Sequence, residues 1–119
     1  MSSEGAKPPG RFDVYYPGRQ DALIWLQGWF AAHSDGDWEH GRGIQIKTLD
    51  NPGWTVQIDL TGTELEAVAF ERYELHRSED DWLILWVSDA TWEAACGPIN
   101  LGEALHCFRV WAIVARPPR

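Results

Sequence analysis

With 119 residues, 45% of them hydrophobic and 24% charged, the chain has the size and balance of one globular domain and not of a disordered segment. Its net charge of −8 is uneven: +1 in residues 1–20 and +3 in residues 104–119 leave −12 between them. So acidic a body repels phosphate backbones, which argues against nucleic acid as a partner and for a basic protein.

Eight tryptophans are a heavy load for this length. Each can bury roughly 150–250 Å², so a small domain can still build a substantial core. No apolar run approaches the roughly 18 residues a membrane span needs. The longest, Trp82 to Val87, has the length of a buried strand. The N-terminal residues MSSEGAKPPGRF hold no apolar stretch, so a cytoplasmic location is expected. Cys96 and Cys107 can pair in principle, but a cytoplasmic chain keeps them reduced. No CxxC or His-x₃-His partner turns them into a zinc framework. No cofactor-binding pattern is present.

Residues 1–20 carry Pro8, Pro9, Gly10, Pro17 and Gly18 and read as a flexible extension. Val14, Tyr15 and Tyr16 could dock on the domain, which spans residues 21–116. Asp21 caps a helix over 22–33 whose apolar face is Leu23, Leu26, Trp29 and Phe30, with Trp25 to one side. The segments 43–49 and 54–60 alternate with period two and read as half-buried strands. Between them, Asp50-Asn51-Pro52-Gly53 has the residue order of a type II turn.

Residues 61–69 read as a connection with room for one helical turn. Strands are predicted over 70–77, 82–87 and 91–96, the second apolar throughout and therefore covered on both faces. Asp89-Ala90 makes the turn between the last two. Asn100 with Glu103 resembles a capping box for a closing helix, whose apolar face is Leu101, Ala104, Leu105, Phe108, Trp111 and Ala112. The fold class is α+β: an antiparallel meander sheet of about five strands with an N-terminal and a C-terminal helix packed on it. The closing helix is apolar around much of its circumference, which fits burial or a homodimer contact.

The densest polar cluster is Asp35, Asp37, Glu39 and His40. Carboxylates beside a histidine could bind a metal or do acid–base chemistry. The spacing is not that of a calcium loop, because the twelfth position from Asp35 is Ile46 and not glutamate. In an extended chain Asp37 and Glu39 share a face and His40 points away. The competing structural account has Asp35 or Asp37 accepting backbone amides in a turn, with Trp38 as a core plug. Cys96-Gly97-Pro98 lacks nearby positive charge, so a structural cysteine is the better reading.

The helix Leu23-Ile24-Trp25-Leu26-Gln27-Gly28-Trp29-Phe30, followed by DGDWEH at 35–40, resembles the start of the immunity protein 53 family. The blocks TLDNPGW at 48–54, Ile58-Asp59-Leu60, Ser78-Glu79-Asp80-Asp81-Trp82 and Gly97-Pro98-Ile99-Asn100-Leu101 are similar to it as well. The likeness covers about residues 21–112. It implies a bacterial antitoxin that binds a polymorphic toxin and needs no catalysis. Many such toxins are nucleases with basic clefts, which an acidic inhibitor can fill. On that reading Asp35, Asp37, Glu39, Asp50 and Asp59 contact the toxin, with Trp38 or Trp54 as aromatic anchor. The other class left open is a small enzyme or metal-binding protein that uses Asp35, Asp37, Glu39 and His40.

Overall fold

A computed structural model of the chain describes residues 21–115. The expected N-terminal extension, the docking of Val14, Tyr15 and Tyr16, and the domain boundary at 116 fall outside the described residues. Asp21 caps helix α1 (Ala22–His33), its carboxylate accepting the Ile24 amide at 2.8 Å. A four-residue helix α2 (Trp38–Gly41) follows. Five strands come next: β1 (Ile44–Leu49), β2 (Gly53–Asp59), β3 (Tyr73–Ser78), β4 (Asp81–Ser88) and β5 (Thr91–Cys96). Helix α3 (Leu101–Val114) closes the fold.

The strands form one antiparallel sheet in the order β1-β2-β5-β4-β3. The hairpin β1-β2 and the run β3-β4-β5 are each continuous. The connection 60–72 carries the chain from β2 to the far edge, so the run folds back and β5 lands beside β2. That connection is a series of tight turns, with Thr63, Glu66 and Val68 each donating to the carbonyl three residues earlier. Leu60 and Leu65 are fully buried beneath it.

One sheet face carries Val56, Ile58, Leu83, Leu85, Trp92, Ala94 and Cys96, all buried. Helices α1 and α3 cover this face. Phe108 of α3 is the hub, its ring 5.1 Å from Trp92 and 5.2 Å from Trp29, with Trp25 and Trp111 at 6.0 Å. Edge-to-face pairs of this kind add about 0.5–1.5 kcal/mol each beyond area burial. The indole N–H groups of Trp29, Trp38 and Trp92 are buried without an acceptor, so packing alone selects these side chains.

Four sequence expectations need correction. The buried stripe of α1 is Ala22, Leu26 and Trp29, with Leu23 53% and Phe30 37% exposed. The helix is apolar on almost every side, so periodicity could not choose its inward face. Strand β4 is covered by the helices on one face only. Trp82, Ile84 and Trp86 lie half-buried on the other, where no described helix packs. Gly53 is not the left-handed residue of a type II turn. It opens β2 opposite Leu49, and a Cβ there would sit on the Cys96 carbonyl oxygen.

Asn100, finally, caps no helical amide. It is fully buried and ties α3 to the sheet. Its Oδ1 accepts the Trp82 amide at 3.2 Å, and its Nδ2 donates to Asp81 at 2.8 Å and Glu103 at 3.1 Å. Arg77 bridges the same two carboxylates, at 2.8 Å and 2.6 Å. They hold the Arg77 guanidinium above its ordinary pKa, Asp81 contributing more than Glu103.

Candidate functional site

The DGDWEH segment is a stapled loop and not an extended strand. The Asp35 carboxylate accepts the amides of Asp37 and Trp38 at 2.9 and 3.1 Å. Glu39 reaches back to the amides of Asp35 and Gly36 at 2.9 and 2.6 Å. Gly36 makes the reversal with φ of 98°, a region that penalises any Cβ. The amide of Trp38, then that of Asp37, pulls the Asp35 pKa below its usual value. Glu39 is lowered too, first by its own amide, then by those of Gly36 and Asp35. Four backbone donors therefore keep two negative charges fixed at the surface.

Trp38 is 6% exposed and packs on Trp29 and Phe30, so it is a core plug and offers no anchor to a partner. Asp37 and His40 are exposed. Asp59 is on the sheet face away from the helices, where Oδ1 accepts the Thr61 amide at 2.8 Å and Oδ2 meets Arg42 at 3.4 Å. Asp50 is exposed in the β1-β2 turn, at the opposite end of the hairpin. The seven residues of β2 put about 20 Å between these ends. Trp54 stands at that far end, half-buried, its Nε1 donating to the Pro98 carbonyl at 3.0 Å. The nominated residues thus divide into a group at one sheet end (Asp35, Asp37, Glu39, Asp59), an outlying pair (Asp50, Trp54) and a core residue (Trp38).

The fold adds two carboxylates that the sequence did not nominate. Glu64 pairs with His33 at 2.8 Å, and Glu66 accepts the Gly62 amide at 3.0 Å. Both belong to the connection 60–72, and both are exposed. Gly62 and Thr63 of that connection line a shallow cleft together with His33, Asp35, Asp37 and Arg42. The turn Asp89-Ala90 abuts the same end, its Ala90 carbonyl accepting the Leu60 amide at 2.7 Å. The result is an acidic pole: Asp35, Asp37, Glu39, Asp59, Glu64 and Glu66 with Arg42 as the cation among them. At the opposite end Arg77 pairs with both Asp81 and Glu103 and offsets one of their two charges.

Metal chemistry finds no support in this arrangement. Asp35 Oδ1 and both oxygens of Glu39 are engaged by backbone amides. Among the described residues no group of three or more His, Cys, Asp or Glu side chains is placed to hold an ion. Burial pushes both the Cys96 and the Cys107 thiol up to about 11, which disfavours the thiolate. No described helix is long and apolar enough to cross a membrane.

No curated protein and no solved structure matches the chain. Residues 23–113, from the first turn of α1 to the end of α3, match the family described as Immunity protein 53. The match takes in the stapled loop, the whole sheet and both long helices, and the chain belongs to the Immunity protein 53 family.

Proposed function

We propose that this immunity protein acts in the bacterial cytoplasm by setting its acidic pole against a basic surface of its cognate toxin. Family membership implies the toxin as partner and a role without catalysis. The observation that carries the rest is the concentration of fixed carboxylates around the loop 35–39 and the connection 60–66. A nuclease with a basic cleft is the toxin class that fits this surface best. The pole presents negative charges where a phosphate backbone would otherwise lie. Opposite charges of this kind speed encounter and fix register.

The mechanism is occupancy. Asp37 and Glu64 are exposed and face the partner directly. Asp35 and Glu39 act twice, adding charge and holding the loop in place. Because the staple forms before the partner arrives, little conformational entropy is lost on binding. The test reverses charge at two exposed positions, Asp37→Lys with Glu64→Lys. The control is Asp50→Lys with Glu79→Lys, the same change in net charge at the opposite end. Protection of cells from the neighbouring gene's product, and affinity for it, are then measured. The polar pair should weaken binding at least tenfold and abolish protection, and the control should do neither. Equal effects of the two pairs would reduce the contact to net charge and refute the assignment.

A further inference from the structure

The two long helices are nearly free of charge in a strongly acidic chain. Helix α1, sequence ALIWLQGWFAAH, has no Asp, Glu, Lys or Arg, and Gln27 and His33 are its only polar side chains. Helix α3 has Glu103, which is tied to Arg77 and Asn100, and Arg109, which is buried. The helices pack side by side on one sheet face, so their outer surfaces adjoin. Those surfaces are apolar: Ile24 is 47% exposed, Val110 44%, Ile113 49% and Val114 77%. Gly28 and Ala31, one and two turns on from Ile24 along α1, are exposed, and a Cβ built on Gly28 meets nothing within 4 Å.

A helix that is apolar all round is normally covered all round. Contiguous exposed apolar surface of this kind marks an interface. Its chemistry also selects the occupant. A basic toxin gains no charge attraction from a face without carboxylates and is drawn to the acidic pole instead. A second copy of an acidic chain, in contrast, meets the least repulsion through a face poor in charge, because like charges set opposite one another cost several kcal/mol. Cores of homodimer interfaces are apolar and depleted of charge in just this way.

We infer that the outer face of α1 and α3 is a homodimer interface, in which two copies pair their helix layers about a two-fold axis. The acidic poles then remain free. The size of the face sets the strength of the contact. Helices of 12 and 14 residues are about 18 and 21 Å long, and two side by side are about 20 Å wide, or about 400 Å² in projection. A standard stable interface covers about 800 Å² per partner. The dimer is therefore a weak one that dissociates on dilution. It goes beyond the toxin-binding reading and rests on it in one respect, that the toxin is held at the acidic pole.

Sedimentation equilibrium of the full chain from about 1 to 500 µM tests this, with Ile24→Glu and Ile113→Glu as exposed-site variants checked for folding by circular dichroism. The wild type should pass from monomer to dimer across the range, and each folded variant should raise the dissociation constant at least tenfold. A wild type that stays monomeric at 500 µM overturns the inference. So does a dimer that both variants leave intact, since another surface would then be responsible. A monomeric wild type whose affinity for the toxin falls in the two variants would assign the face to the toxin and equally refute the dimer.

Discussion

Replacing Asn100 by alanine should destabilise the fold by about 3 kcal/mol. The side chain is fully buried and makes three hydrogen bonds, to the Trp82 amide, Asp81 and Glu103. At roughly 1 kcal/mol net for each bond, the direct loss is about 3 kcal/mol. A Trp82 amide left dry adds to that, and water entering the vacated space subtracts from it. Urea unfolding reads the result. With a slope of about 2 kcal/mol/M, typical of small domains, the midpoint should fall by about 1.5 M at unchanged slope. Asn100→Asp separates hydrogen bonding from charge. It keeps the acceptor for Trp82 but places a third carboxylate beside Asp81 and Glu103, so it should not recover the alanine loss. A midpoint shift under about 0.5 M for alanine would refute the reasoning, because α3 would then be held by apolar packing alone.

Ala90 adopts φ of 56° in the two-residue turn between β4 and β5, beside Asp89 at 53°. Ala90→Gly should stabilise the protein by about 1 kcal/mol and raise Tm by several degrees in calorimetry. Trp38→Phe should be far milder than Trp38→Ala, which should lose about 3–5 kcal/mol in denaturant titration, because the buried indole N–H has no acceptor to lose. The staple should respond to acid. The carboxyls of Asp35 and Glu39 lie below their ordinary values of 3.8 and 4.5, so their stabilisation is complete above those values and is lost as pH falls through the lowered ones. Amide chemical shifts of Asp35, Gly36, Asp37 and Trp38 should therefore move together in acid and stay constant from pH 5 to 8. With both thiols near 11, about one in a thousand is ionised at pH 8, so the native protein should react with a thiol reagent far more slowly than the unfolded chain.

The elements were legible where one physical signal dominated. Alternation placed β1, β2 and β5, and Asp21 marked the start of α1 by its capping chemistry. The closing helix announced its inward face through Ala104, Leu105, Phe108 and Ala112. The inward face of α1 was hidden because nearly every position is apolar, and a stripe cannot be read against a background of the same kind. Gly53 shows a second limit. Its position after proline suggested a turn conformation, whereas the actual requirement is close approach to Cys96 in a strand 43 residues later. Such a requirement depends on which strands become neighbours, and short-range pattern carries no record of that.

The acidic pole was half legible for the same reason. The loop 35–39 stood out because its three charges fall at every second residue of a five-residue span. Glu64 and Glu66 sit in a connection that local pattern reads only as a link between strands. They join the pole because the chain must travel from β2 to the far edge of the sheet, and that route brings Glu64 within reach of His33, 31 residues earlier. Asp50 and Trp54 were drawn in by proximity in sequence and are separated from the pole by the length of a strand. The same topology explains why the charge is useful. A meander in simple order would have placed β3 beside β2 and left no crossing segment to bring further carboxylates to this end. The crossing of 60–72 therefore does two things at once: it seals the core through Leu60 and Leu65, and it thickens the negative field around a loop already fixed by its own amides.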